Sequence, residues 1–247
     1  MSAIHWLAAS ASPSTLPSAL EALDEPNGLL AAGGSLEPEW LLRAYTHGIF
    51  PWYETGQPIL WWSPDPRAVL WPDDLHVSRS LRRLLRKSAL RVTADSAFDD
   101  VVTGCAAPRS YTESTWITPE MARAYSRLHR LGLAHSFETW QGDRLVGGLY
   151  GVAIGSVFFG ESMFSRARDA SKVALVRGIE FLKRRGFTLI DCQVASAHMT
   201  RLGATDMPRA KFVDYLRLHC IATETPQSWR EDFDAFARDV CGPRGPV

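Results

Sequence analysis

The chain has 247 residues, 46% of them apolar, and carries 27 basic against 27 acidic side chains. At ~150 residues per domain this makes one large or two modest globular domains with room for a core, which excludes disordered, fibrous and miniature disulfide-stapled classes. The longest stretch free of Asp, Glu, Lys, Arg and His, between Arg144 and Glu161, is 16 residues and is broken by glycines, short of the ~20 apolar residues of a membrane-spanning helix.

The amino terminus, MSAIHWLAASASPS, lacks the basic region and compact apolar run of a secretory signal, so export is not indicated. Cys105, Cys192, Cys220 and Cys241 show no short paired spacing of the zinc or redox kind, so neither a metal nor a disulfide framework is expected, and a reducing cytoplasm is the default. The charges balance overall but not locally. Residues 1–60 hold six acids and one base, a net −5. Residues 76–94 hold Arg79, Arg82, Arg83, Arg86, Lys87 and Arg91 with no acid.

Along the chain, turn signals at Glu25-Pro26-Asn27-Gly28 and Gly33-Gly34 precede a short helix expected over residues 38–47. The tract FPWYETGQPILWWSPDPR (50–67) is too rich in proline for a long helix or a central strand, and predicts a rigid irregular surface with short strand pieces. Residues 1–66 are read as a small N-terminal domain, residues 67–235 as the main domain and residues 236–247 as a flexible tail.

From residue 68 the pattern is regular. A helix is expected at 78–88 and a strand at 90–93. Phe98, Val101, Val102 and Cys105 recur at helical spacing. Thr118-Pro119-Glu120 starts a helix that Gly132 stops. Runs at 134–140, 144–153 and 156–161 read as an antiparallel meander. A helix over 169–185 closed by Gly186, a strand at 187–194, a short helix to Leu202 and a helix at 208–219 complete an α+β order. Strand 156–161, the following helix and strand 187–194 form a crossover unit, so the two strands should be parallel neighbours with ligands at their carboxyl ends.

Chemistry concentrates there. The two-residue period places Phe187, Leu189, Asp191 and Gln193 on one face of the strand, which turns polar at its end. Glu161 ends the partner strand, after a Gly160 that suggests a bulge or close approach of a ligand to the backbone. Two acids and an amide suit proton removal and alignment of an amine; no histidine is placed for a nucleophilic triad. The alternative is that both acids are structural, paired with arginines or helix caps. On a helix at ~100° per residue, Arg79, Arg82, Arg83, Arg86 and Lys87 fall within about 140°, opposite Leu81, Leu84 and Leu85. A single-sign stripe of this kind fits an anionic partner such as an RNA acceptor stem or an anionic membrane surface, against the alternative of a solvated face. Trp52 and Trp116 sit in loop-like contexts where an indole can stack on a base, whereas Trp61 and Trp62 read as packing at the domain junction.

Longer words then accumulate in order: EPNGLLAAGG (25–34), GIFPWY (48–53), PILWWSPDPRAVL (58–70), LHVSRSLRR (75–83), TWIT (115–118), LVGGLYG (145–151), FFGESMFS (158–165), DASKVAL (169–175), IDCQV (190–194) and LGA (202–204). Over residues 20–220 the chain closely resembles the bacterial leucyl/phenylalanyl-tRNA–protein transferase family. The resemblance implies a C-terminal domain of the GNAT-like acyltransferase fold with a mixed sheet, after a small N-terminal domain. It implies an aminoacyltransferase that moves Leu or Phe, and less well Met, from aminoacyl-tRNA to the N-terminal Arg or Lys of a protein and marks it for N-end rule degradation. No cofactor or metal is implied, and the expected state is a cytoplasmic monomer. Carried over by motif, Asp191 and Gln193 form a catalytic relay, with the amide end of Gln193 anchored by Asp191, and Glu161 positions the amine or the basic acceptor residue. Leu149, Phe158, Gly160, Met163, Phe164 and Ile190 would line the aminoacyl pocket. Trp52, Trp116 and Tyr125 would hold the terminal adenosine and its ester, and Arg79, Arg82, Arg83, Arg86 and Lys87 would meet the acceptor stem. Ser196 stands where an Asn or Thr can aid the oxyanion. Two rivals remain: a CoA-dependent N-acyltransferase, although the SRARDAS loop (165–171) lacks the glycine of a pyrophosphate cradle, and a noncatalytic tRNA-binding protein.

Overall fold

The computed structural model describes residues 4–87, 90–107, 116–221 and 227–241. Two sheets organise them. A four-stranded sheet is built from β1 (His5–Leu7), β2 (Leu29–Gly33), β3 (Phe50–Pro51) and β4 (Leu60–Trp62), in the order β1-β2-β4-β3. Gly33 allows β1 to lie close: with its φ of +88°, a Cβ there would fall 2.3 Å from the Leu7 carbonyl oxygen. Helix α1 (Pro38–Thr46) starts with proline at its first turn and turns Trp40, Leu41, Ala44 and Tyr45 inward, with the Trp40 ring stacked on Trp61. The proline-rich tract between β3 and β4 is irregular, as its composition predicts.

The second sheet has seven strands, in the order β11-β5-β10-β9-β8-β7-β6. They are β5 (Arg67–Leu70), β6 (Arg91–Ala94), β7 (Ala134–Gln141), β8 (Arg144–Ile154), β9 (Val157–Ser165), β10 (Leu189–Gln193) and β11 (Thr205–Met207). Strands β7, β8 and β9 form the expected antiparallel meander, and β9 runs on to Ser165, beyond the expected end at residue 161. Helix α5 (Ala170–Arg184) crosses from β9 to β10, and these two strands pair in parallel within an otherwise antiparallel sheet. The class is therefore α+β with a mixed sheet.

Helices α2 (Arg79–Arg86), α3 (Phe98–Ala106), α4 (Pro119–Arg130), α6 (Ala197–Arg201), α7 (Arg209–His219) and α8 (Arg230–Cys241) complete the fold. Thr118 caps α4 by accepting from the Met121 amide, and the stripe Phe98, Val101, Val102 and Cys105 is buried. One apolar cluster joins Trp40, Tyr45 and Trp61 to residues of α3, α4 and α7, so the four-stranded sheet and the seven-stranded sheet share a core. The other cluster lies under α5 and α8, where Phe137, Phe158, Phe181, Phe187, Trp229, Phe233 and Phe236 meet.

Residues 236–241 correct the expectation of a flexible tail: they are the second half of α8, and the Phe236 side chain packs on Phe181 and Phe233. Two non-local contacts tether the helix start. Trp229 stacks on His135 at 3.5 Å, and its amide donates to Asp95 Oδ2 at 2.7 Å. Residues 242–247 of that tail lie outside the described residues. Strands β5 and β11, absent from the sequence reading, cover the open edge of β10 through β5.

Candidate functional site

The site forms where β9 and β10 stop pairing. Their parallel register runs from Leu189 opposite Val157 to Asp191 opposite Phe159 and ends there. Each strand then breaks its own alternation. On β9, Tyr150 and Gly151 of β8 face Ser162 and Gly160, which leaves Glu161 as the extra residue of a bulge. On β10, Val69 and Ala68 of β5 face Asp191 and Gln193, which leaves Cys192 as the extra residue. Gln193 takes φ +61°, and the Val194 amide donates to the Cys192 carbonyl oxygen at 2.7 Å. This is a γ-turn of the strained left-handed kind, centred on a residue with a Cβ.

Asp191 is fully buried and paired with an arginine, as the structural alternative for this acid had it, and that arginine is Arg67. Arg67 donates from Nε to Oδ1 at 2.8 Å and from Nη2 to Oδ2 at 2.7 Å, while its Nη1 donates to the Gly48 carbonyl oxygen at 3.0 Å. The guanidinium lies between the rings of Phe50 and Phe212, at 4.8 and 4.6 Å. Asp191 Oδ1 also accepts from the Gln193 backbone amide at 2.9 Å. This corrects the expected relay geometry. The carboxylate holds the main chain of Gln193, and the amide end of the side chain goes elsewhere: Nε2 donates to Glu161 Oε1 at 3.0 Å. The bidentate Arg67 pair leaves Asp191 little freedom to do anything else.

The hydrogen-bond partners of Glu161, 9% exposed, are neutral. The Tyr45 hydroxyl of α1 lies 2.7 Å from Oε1, the Tyr125 hydroxyl of α4 lies 2.6 Å from Oε2, and the two hydroxyls are 2.7 Å apart. Burial raises the pKa of Glu161 to about 7, with the tyrosine hydrogen bonds and the Arg67 charge opposing and the Asp191 charge reinforcing the shift. Burial likewise raises the phenols of Tyr45, Tyr125 and Tyr150, with the Glu161 charge next.

Beside these groups opens a cavity of about 850 Å³. It brings together most of the expected residues: Trp116, Leu149, Phe158, Gly160, Glu161, Met163, Phe164, Ile190, Asp191 and Ser196 all line it. A Cβ on Gly160 would meet only the Asp191 carbonyl oxygen, at 3.4 Å, so this backbone is open to a ligand on the cavity side. Ser196 also accepts from the Met199 amide as the N-cap of α6, so its hydroxyl has a structural partner.

Two expected contacts do not survive. Trp52 is 45% exposed, leans on Trp62 at 5.5 Å and does not line the cavity. Tyr125 is fully buried against Tyr150, so neither ring face is free to stack on a base, and its hydroxyl is held at Glu161 instead. The sequence reading missed Arg67 and Tyr45. A charged residue opening the apolar run RAVL (67–70) was the available signal for Arg67; Tyr45 lies on the buried stripe of α1, where nothing local distinguishes it from core. It also missed Tyr150, Leu175, Cys192, His198 and Met199 in the lining. Burial raises the Cys192 thiol, which removes it as a nucleophile. Among the described residues no three His, Cys, Asp or Glu side chains gather to hold a metal ion.

The cationic stripe is helix α2 with Lys87 at its end. Ser78 caps it, and Leu81 is buried with Val173 and Val176 of α5. Arg79, Arg82, Arg83, Arg86 and Lys87 are exposed, and none forms an ion pair among the described residues.

Two family models match in sequence. Residues 69–217 match the leucyl/phenylalanyl-tRNA protein transferase model, and residues 34–65 match the model of that family's N-terminal domain. The chain is 60% identical over 209 residues to the leucyl/phenylalanyl-tRNA–protein transferase of Stutzerimonas stutzeri strain A1501, covering 85% of this chain and 92% of that one. It is 58% identical over 203 residues to the enzyme of the same description from Ectopseudomonas mendocina strain ymp, covering 82% and 90%. Among solved structures it is similar to a GCN5-related N-acetyltransferase from Kribbella flavida, with TM-score 0.38, 13% identity and coverage of 69% of this chain and 61% of that one. With the larger model spanning more than half of the chain and these relatives covered almost end to end, the chain belongs to the leucyl/phenylalanyl-tRNA protein transferase family and is an aminoacyltransferase.

Proposed function

We propose that this chain takes Leu or Phe, and more slowly Met, from its aminoacyl-tRNA and joins it to the N-terminal Arg or Lys of a protein, in the cytoplasm and as a monomer, marking that protein for N-end rule degradation. The observation that supports this reading most is the cavity itself: apolar walls from Leu149, Phe158, Met163, Phe164 and Ile190 end at Glu161 and Asp191, and Gln193, outside the lining, is hydrogen-bonded to both.

An aminoacyl ester is already activated, so the enzyme has to bring an amine and a carbonyl together and manage one proton. Leu or Phe fills the apolar pocket and fixes the carbonyl at its mouth. A side chain branched at Cβ fits a pocket built for Cγ branching less well, and each misplaced methylene costs ~1 to 3 kcal/mol. That discrimination is modest, so Met is accepted. Gln193, held by Asp191 through its backbone and by Glu161 through its amide, presents its side-chain oxygen to the attacking amine. Arg67 keeps Asp191 in place. Trp116 flanks the terminal adenosine, and α2 meets the phosphates of the acceptor stem.

Transfer of radiolabelled Leu, Phe, Met and Val from their tRNAs to model proteins beginning with Arg, Lys or Ala tests the proposal. The expected result is label on the Arg and Lys proteins only, from Leu and Phe ahead of Met, with Val lowest. Equal binding of charged and uncharged tRNA without transfer would establish a tRNA-binding protein instead, and acylation from acetyl-CoA would establish a CoA-dependent enzyme.

A further inference from the structure

Three oxygen-to-oxygen contacts of 2.6 to 2.7 Å join Tyr45, Tyr125 and Glu161 in a closed triangle. Each contact needs one proton between its oxygens. The two phenols supply two, because burial keeps both hydroxyls protonated far beyond neutral pH. With Glu161 ionised, one side of the triangle is left with lone pairs facing each other. Facing the ionised carboxylate, Tyr45 donates to Oε1 and Tyr125 to Oε2; a third proton, taken up by the carboxyl group, closes the ring, with Tyr125 still donating to Oε2 and Tyr45 turning to donate to Tyr125 while it accepts from Oε1–H. Oε1 still accepts from Gln193 Nε2. Closed rings of this kind are mutually polarising.

We propose that this ring is the proton acceptor of the transfer reaction: Glu161 takes the proton that the attacking amine loses and later returns it to the leaving ribose oxygen. The inference rests on the aminoacyl-transfer reading given above. The amine nitrogen bonds to the ester carbonyl carbon, and the carbonyl π pair moves onto oxygen. The N–H proton passes to Glu161, which completes the ring. As the carbonyl re-forms, the bond from carbon to the ribose oxygen breaks, its electron pair stays on that oxygen, and the proton goes there from Glu161. One amide forms, one ester breaks, and one proton moves from nitrogen to oxygen.

The surroundings single out this carboxylate. Asp191 has both oxygens on Arg67 and one of them on the Gln193 amide as well. Glu161 has only hydroxyl and amide donors, lines the cavity, and titrates near about 7, where an acceptor works best at neutral pH. The charged and titratable groups facing it are Tyr45 on α1, Tyr125 on α4, Tyr150 on β8, Arg67 on β5 and Asp191 on β10. His198 of α6 lines the same cavity, its Nε2 has no hydrogen-bond partner among the described residues, and burial lowers its pKa. It is the competing acceptor.

The test combines spectroscopy of the free enzyme with single-turnover transfer. Infrared spectra taken through pH values on either side of about 7 should show a protonated carboxyl C=O band in the wild type that vanishes on raising the pH. Glu161→Gln should lack the band; Tyr125→Phe should move its titration upward, because it removes a donor that favours the ionised form, and Tyr45→Phe, which also removes the acceptor of the carboxyl proton, should move it less. In transfer, Glu161→Gln should slow the step by about 10²- to 10⁴-fold, the usual range for losing a general base. Its pH profile should keep only the inflection of the acceptor amine, and the tyrosine variants should move the enzyme's inflection in the direction of the band. An undiminished rate in Glu161→Gln, a wild type without a titrating band, or loss of the inflection in His198→Gln in place of Glu161→Gln would each overturn the proposal. A wild type that shows the band yet transfers neither Leu nor Phe would overturn the functional reading and leave the ring intact.

Discussion

Two carboxylates stand one strand apart at the carboxyl ends of β10 and β9, and their surroundings differ completely. Around Asp191 the fold supplies a guanidinium with matched bidentate geometry, two aromatic walls and a backbone amide. Around Glu161 it supplies two phenols and a carboxamide. A guanidinium paired through both oxygens makes a buried acid a structural strut. Neutral donors satisfy its lone pairs without compensating its charge, so the acid stays poised to gain and lose a proton. The arrangement separates holding a backbone from handling a proton, and gives each role to a different residue.

The largest effect comes from breaking the charged side of this contrast. Asp191→Ala leaves the Arg67 guanidinium buried and unpaired, which should cost about 3 to 5 kcal/mol. For a chain of this size that lowers the melting temperature by roughly 6 to 20 °C, read by calorimetry. Replacing the pair together, Arg67→Met with Asp191→Leu, should recover most of that stability, since a buried ion pair and an apolar pair of similar volume are often close in free energy. Transfer should stay lost, because the amide of Gln193 no longer has the acceptor that holds its γ-turn. A double variant that regains stability and activity together would show that Asp191 does not order Gln193.

Glu161 should respond in the opposite sense. Its folded pKa of about 7 lies above the ordinary value of 4.5, so the native state holds a proton that the unfolded chain has released. The stability contributed by that proton is complete below the ordinary value and is lost as pH rises through about 7. At 1.36 kcal/mol per unit, the shift is worth ~3 kcal/mol. Denaturant titrations of the wild type and Glu161→Gln across this window should therefore diverge, with the wild type losing about that much relative to the variant at the alkaline end. Parallel curves would mean that Glu161 titrates normally and that the contrast with Asp191 is empty.

How much of this was legible in the sequence follows from the range of each interaction. The helices over 38–46, 98–106, 119–130 and 170–184 carry their signals, a proline start, an apolar stripe or a closing glycine, within a few residues, and the meander and the parallel pair β9–β10 follow from periodicity and crossover length. Asp191, Gln193 and Glu161 lie near strand ends where an α/β crevice is expected, and family words mark them. What joins them was not legible. Arg67 is 124 positions from Asp191, and Tyr45 is 116 from Glu161; no local pattern encodes either contact. The bulges at Glu161 and Cys192 break the period that predicts which face each side chain takes, so the partner of the Gln193 amide came out wrong. Helix α8 was missed because its tethers, Asp95 and His135, lie roughly a hundred residues away.

The charges of α2 extend the contrast to a third case, with no protein counter-charge at all among the described residues. Arg79, Arg82, Arg83, Arg86 and Lys87 are solvated, so losing one should leave the fold within ~0.5 kcal/mol of the wild type. Their effect should appear only against an external polyanion. If four of them neutralise phosphates along an acceptor stem, the duplex rule of about 0.9 per phosphate predicts a log–log salt slope of about −3.6 for tRNA binding. Arg82→Ala should reduce it to about −2.7 and weaken binding at low salt, with little change as salt rises. Filter binding of a charged and an uncharged tRNA across a salt series measures this directly, and both should shift alike because both carry the same phosphates. A slope that stays unchanged in Arg82→Ala and in Arg83→Ala would assign the phosphates to other cations and leave α2 as a solvated face. A slope that falls while transfer from saturating tRNA keeps its rate would give each of the three charge environments its own role, with the external charge capturing tRNA, the Arg67 pair aligning the backbone and the tyrosine-bound carboxyl carrying the proton.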